Sequence, residues 1–126
     1  MMKTPSLLPT ACLLLFVIFL GIPAAGQDRN SQPEVKPLIV TIESLNYDPK
    51  KLEIRVGDSV VWTNKAFSRH TATSDDEGKT FDTGDIPPDE SSKAVKFDKV
   101  GEFKYHCTVH GKTMSGIILV KEREKK

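Results

Sequence analysis

Between Lys51 and Val56 the chain changes polarity at every step: Leu52, Ile54 and Val56 alternate with Lys51, Glu53 and Arg55. A period of two sends one set of side chains into a core and the other into water, which is the pattern of a half-buried strand and cannot form a helical stripe. The rest of the chain reads the same way. Leu38-Ile39-Val40-Thr41-Ile42 is a β-branched run, Asn46-Tyr47-Asp48-Pro49 a turn, and Gly57-Asp58 another turn before the strand Ser59-Val60-Val61-Trp62-Thr63-Asn64, whose Trp62 is a core residue by size. Ala94-Val95-Lys96-Phe97-Asp98 and Glu102-Phe103-Lys104-Tyr105-His106-Cys107 alternate again, and Gly116-Ile117-Ile118-Leu119-Val120 is apolar throughout, as suits a central strand. Ile86-Pro87-Pro88 marks a connection, since proline cannot sit mid-sheet. With no helical periodicity after the N-terminal segment, about seven to eight short strands predict an all-β chain folded as an antiparallel Greek-key β-sandwich.

The sandwich does not use the whole chain. Lys3, an apolar run over residues 11–22 and the small residues Ala24-Ala25-Gly26 make the three-part pattern of a secretory signal over residues 1–26, with cleavage before Gln27. An uncleaved signal anchor is the alternative, although a dozen or so apolar residues are few for a spanning helix. Residues 27–37 are polar with two prolines and read as a flexible leader, 38–121 as the domain and 122–126 as a charged tail. Removing Lys3 leaves 17 basic against 17 acidic residues, without the basic excess a nucleic-acid-binding surface needs. The segment from Ser74 to Glu90 carries seven acidic residues and Lys79 alone. It reads as a solvated loop, or as a patch that steers a basic partner.

Cys12 falls within the signal, so an exported chain keeps one cysteine, Cys107, and no internal disulfide. A lone thiol in an oxidising compartment is either buried as a small hydrophobe or held by a metal. Its neighbours favour the metal: His110 follows by three residues, with Gly111 to turn the loop, and Met114 comes four further on. Thiol, imidazole and thioether are donors for copper rather than for calcium or magnesium. Strand alternation sends His106 to the opposite face from Cys107 and removes it from the donor set. His70 then supplies a second nitrogen from a distant segment, giving the set His70, Cys107, His110 and Met114. Structural zinc could use the same Cys and His residues, but it gives Met114 no purpose.

These residues resemble a known family. Tyr47-Asp48-Pro49, the stretch from Leu52 to Asn64, His70-Thr71, Phe81-Asp82-Thr83-Gly84, the stretch from Gly101 to Cys107, and His110 with Met114 are together similar to the cupredoxins, small blue-copper proteins of the plastocyanin, amicyanin and pseudoazurin type. The resemblance implies one type 1 copper cycling between Cu(I) and Cu(II), with His70, Cys107 and His110 as strong equatorial ligands and Met114 as a weak axial one. The ligand loop departs from the pattern: three residues separate His110 from Met114, where amicyanin-like loops have two and plastocyanin-like loops four. Val109 replaces a proline common in relatives, and Thr71 stands where many carry an asparagine that braces the loop.

The expected function is that of a monomeric, exported (periplasmic or secreted) one-electron carrier. It would dock transiently near His110 with a cytochrome or a copper or quinone enzyme, on a small apolar surface including Val109 and Pro87 or Pro88. A copper-delivery protein of the periplasm is the alternative, opposed by the absence of a Met-rich segment. Enzymatic turnover is not expected, because the four donors would leave no open coordination position for a substrate.

Overall fold

The computed structural model describes residues 34–126, together with Met2, Lys3 and Gly21. The signal segment, apart from those three residues, and most of the leader therefore lie outside the described residues. Eight strands follow in order: β1 (Leu38–Glu43), β2 (Asn46–Asp48), β3 (Lys51–Arg55), β4 (Ser59–Asn64), β5 (Thr73–Ser74), β6 (Val95–Lys96), β7 (Gly101–Cys107) and β8 (Gly111–Lys121). They form two four-stranded sheets, ordered β2-β1-β4-β6 and β3-β8-β7-β5. The architecture is the all-β Greek-key sandwich that the alternation predicts.

The alternating faces meet in one core. Val40, Ile42, Tyr47, Val60 and Trp62 come from the first sheet and Ile54, Tyr105, Cys107, Ile118 and Val120 from the second, all buried. Aromatic rings fill its centre, with Trp62 stacked on Phe81 at 5.4 Å and set edge-on to Tyr105 at 5.4 Å. Offset and edge-to-face contacts of this kind add to what area burial alone contributes. The apolar run at the C-terminus lies inside the second sheet, where β8 is hydrogen-bonded to β3 on one side and β7 on the other.

Four expectations need correction. The sheets are mixed rather than antiparallel, because β1 runs parallel to β4 and β3 parallel to β8. A period of two fixes which face a residue occupies, but not the direction of the strand beside it. Residues 46–48 are a short strand paired with β1, with Tyr47 opposite Ile42, rather than a turn. The alternating run around Val95 contributes only two residues to a strand, although Phe97 is buried as its position predicts. The acidic segment is not simply solvated: Phe81 and Ile86 reach the core, and four of its carboxylates hold local structure. Asp75 pairs with His106, Asp85 with Arg69, Asp82 accepts from Thr73, and Asp76 accepts from Ser74 and Thr80.

Gly57 shows how the chain changes sheet. Its φ of 92° is open to glycine and strained for other residues. The turn is closed by the Arg55 N–H donating to Asp58 Oδ2 at 2.9 Å, and it delivers the chain from β3 in one sheet to β4 in the other.

Candidate metal centre

The donors converge at one end of the sandwich. β7 ends at Cys107, which is fully buried, and after a short turn through His110 the chain returns as β8. Gly111, with φ at 73°, makes that return possible, and the pairing of Cys107 with Gly111 instead of a later residue marks a bulge in the ladder. Beyond the bulge His106 pairs with Ser115, so Met114 lies on the same buried face of the hairpin as Cys107.

His70 arrives from the other direction, on the segment linking β4 to β5. Asn64, at the end of β4, has no exposure and anchors this segment by donating from its amide to the Ser68 and Ile86 carbonyls and accepting from the Ala66 N–H. A reciprocal pair of backbone bonds then ties His70 to Ile86: the His70 N–H donates at 3.2 Å and the Ile86 N–H donates back at 2.7 Å. The pairing carries the Ile86 side chain into the core, where it is buried, which is why an apolar residue suits this position in an acidic loop.

His70 Nδ1 lies 3.8 Å from Cys107 Sγ, and His110 Nδ1 lies 3.5 Å from it. One ligating atom from each of the three residues falls within 4.8 Å of the others. Metal–nitrogen bonds of about 2.0 Å and a metal–sulfur bond of about 2.3 Å, opened to between tetrahedral and trigonal angles, put nitrogen and sulfur about 3.5–3.7 Å apart. The observed spacings fit a single ion held by all three atoms.

The protonation logic agrees. His70 Nε2 is 3.2 Å from Ser68 Oγ, so a hydrogen on Nε2 leaves the Nδ1 lone pair facing the sulfur. Burial, together with the neighbouring His110 ring, holds the His70 imidazole below the usual histidine range and favours its neutral form. The Thr71 N–H points at Cys107 Sγ at 3.4 Å, and the Tyr47 hydroxyl anchors the same residue through its following peptide by donating to the Thr71 carbonyl at 2.5 Å. Burial pushes the Tyr47 hydroxyl pKa well up, so it remains a donor.

His106 is separate from this group. Its side chain faces away from Cys107 and is only 17% exposed, because Nδ1 meets Asp75 Oδ1 at 2.6 Å. Reading the strand gave its direction correctly, but not this partner. Ser68, Asn64 and Ile86 also escaped the sequence reading. Ser68 could have been sought two residues before His70, whereas Ile86 carries no local signal of its role.

Comparison with known proteins follows the same lines. The model of the copper binding proteins, plastocyanin/azurin family, matches residues 35–121. Amicyanin of Paracoccus denitrificans is 28% identical over 113 residues, covering 79% of this chain and 86% of that protein. The chloroplastic plastocyanin of Tetradesmus obliquus is 34% identical over 87 residues, 61% of this chain, and the match spans 59% of that protein's length. Among solved structures, a purple cupredoxin from Nitrosopumilus maritimus superposes with a TM-score of 0.61 at 25% identity, over 67% of this chain and 99% of that one. Amicyanin from Paracoccus versutus gives 0.59 at 25% identity, over 68% and 82%. The chain belongs to the plastocyanin/azurin family of copper binding proteins.

Proposed function

We propose that this protein is an exported type 1 copper protein that carries single electrons between redox partners, with His70, Cys107 and His110 as equatorial ligands and Met114 as the weak axial ligand. The observation that carries this reading is the convergence of Cys107 Sγ with the two histidine Nδ1 atoms. Copper bound there supplies a one-electron couple between Cu(I) and Cu(II). The chain's contribution is to hold its donors in place before and after transfer: Asn64 and Ile86 fix His70, the Thr71 N–H donates to the sulfur, and the core packs around Met114. Donors held in advance reorganise little.

His110 is the half-buried member of the set, whereas His70, Cys107 and Met114 are enclosed, so electrons would enter and leave through the His110 ring. The apolar residues exposed on neighbouring loops suit brief docking. Val109, Pro87 and Pro88 are exposed, as are Leu45 and Phe67, which the sequence reading did not include. Phe67 lies three residues before His70 and is as exposed as a free side chain, at 103%. Such a patch favours transient contact over a permanent interface. The enclosure of three donors argues against copper delivery, which calls for accessible, exchangeable ligands.

Adding Cu(II) to the apoprotein tests the ligand set. An intense visible band, bleached reversibly by a mild reductant and absent in Cys107→Ser, is the expected result. A colourless product, or a colour that survives that substitution, overturns it. Rapid loss of copper to a chelator would favour delivery. Export is checked by sequencing the secreted protein's N-terminus, expected at Gln27. Among the described residues no helix is long and apolar enough to cross a membrane.

A further inference from the structure

Behind the candidate ligand loop runs a line of side-chain hydrogen bonds that the metal site does not itself require. Asp82 Oδ1 accepts from Thr73 Oγ1 at 3.0 Å; Thr73 Oγ1 is 3.0 Å from Thr71 Oγ1; and Thr71 Oγ1 is 3.1 Å from Thr108 Oγ1. The Thr108 N–H also donates to Thr71 Oγ1, at 2.9 Å. Thr71 and Thr73 are buried, while Asp82 and Thr108 stand at the exposed ends.

The direction of this line follows from counting hydrogens. A carboxylate only accepts and a hydroxyl has one hydrogen and two lone pairs. Thr73 spends its hydrogen on Asp82, so the bond between Thr73 and Thr71 must be donated by Thr71. With its hydrogen committed, Thr71 can only accept from Thr108, and its two lone pairs take the Thr108 N–H and O–H. Every position on Thr71 Oγ1 is then filled. Asp82 is itself fixed: its Oδ1 accepts from the Gly84 N–H at 2.9 Å, while backbone bonds from Ser74 to Phe81 and from Thr83 to Ala72 hold the two segments together.

We propose that Asp82 and Thr73 are positioning residues for the loop that carries Cys107 and His110, acting through a one-way chain of hydrogen bonds that ends on Thr108. Neither residue reaches a candidate ligand. The carboxylate at the far end orients the hydroxyls so that Thr71 presents only lone pairs to the residue following Cys107. The significance for copper rests on the ligand set proposed above; the orientation of the loop does not.

Amide hydrogen exchange on the apoprotein reads the loop directly, with Ser92, whose N–H donates to the Trp62 carbonyl, as a reference outside the chain. Thr71→Val, which removes the acceptor, is expected to speed exchange at Thr108 by about tenfold. Thr73→Val and Asp82→Ala, which removes the terminal acceptor, are expected to speed it about threefold, with Ser92 unchanged, and Thr71→Ser to restore the wild-type rate. Asp82 is at the surface, so its substitution keeps the test available if a threonine variant does not fold. The same Thr73→Val and Asp82→Ala proteins loaded with Cu(II) should show a shifted visible band and a shifted reduction potential, which loss of general stability would not produce. Thr108 exchange unchanged in both variants, or matched by equal acceleration at Ser92, overturns the proposal. A wild-type protein that gives no colour with Cu(II) overturns the ligand set alone, because the exchange measurement needs no metal.

Discussion

Replacing Gly116 by alanine should unsettle the core more than a single methyl group suggests. A Cβ at this position would sit 2.8 Å from Tyr105 Cε1 and closer still to Cζ and Oη. Carbon atoms in good contact are about 3.5–4.0 Å apart, so the phenol ring would have to move by about 1 Å. It has nowhere to go. Tyr105 is fully buried, with Tyr47 at 4.7 Å, Trp62 at 5.4 Å and Phe81 at 5.9 Å around it. Overpacking a tight site costs about 1–3 kcal/mol, and a ring enclosed on three sides belongs at the upper end. The φ of Gly116 is not in the left-handed region, so alanine fits the backbone and returns up to about 1 kcal/mol by restricting the unfolded chain. The net expected loss is about 2 kcal/mol, or a fall in melting temperature of about 8–16 °C for a domain of this size. Urea denaturation of the apoprotein measures it. In a double-mutant cycle, Tyr105→Phe should recover at least about 0.5 kcal/mol of the loss by removing the nearest oxygen. A loss below about 0.5 kcal/mol would show that the aromatic cluster yields and that its packing is looser than these contacts imply.

Three other outcomes follow from the same structure. Ile118→Ala, at a position with no exposure, should cost about 2–5 kcal/mol in urea, and Leu119→Ala on the opposite face clearly less. Asp75→Asn weakens the contact with His106 and should cost about 0.2–1 kcal/mol, while the visible spectrum of the Cu(II) form stays unchanged because His106 faces away from the donors. Hydrogen bonds from Ser74 and Thr80 lower the Asp76 carboxyl from its ordinary 3.8 to about 2. The folded form therefore binds this proton less readily than the unfolded form: the stability contributed is complete above about pH 4 and is lost as the pH falls towards 2. Urea midpoints measured from pH 5 to pH 2 should accordingly fall more steeply for the wild type than for Asp76→Asn.

How far the chain could be read in advance depended on whether a residue's role was local. Leu52 and Ile54 declare their face through their immediate neighbours, and the apolar stretch from Ile117 to Val120 declares a central strand, so the layers of the sandwich were legible. The parallel pairing of β1 with β4 was not, because no residue in either strand encodes the direction of the other. At the candidate site, Cys107, His110 and Met114 lie close together in sequence and their chemistry is visible there. His70 could be placed only by completing a donor set. Phe81 and Ile86 were hidden because their neighbours are acidic or proline, and only the folded chain shows Ile86 bonded to His70. The hydroxyls of Thr71 and Thr73 gain meaning from Thr108, which alternation treats as an ordinary loop residue.

The position of His70 also bears on how the molecule comes apart. It lies where the chain leaves the first sheet for the second, whereas Cys107 and His110 belong to a hairpin of the second sheet, and Cys107 follows His70 by 37 positions. Two stacked sheets are joined mainly by dispersion contacts, which weaken gradually as the faces slide. A coordinate bond is short and directional, so copper held by these three residues would act as a rivet across the seam. Donors so distant along the chain meet only after the sheets have docked, so the rivet closes late in folding and must break early in unfolding. Metal loading should therefore slow unfolding far more than it hastens folding, making the loaded protein long-lived by virtue of its barrier.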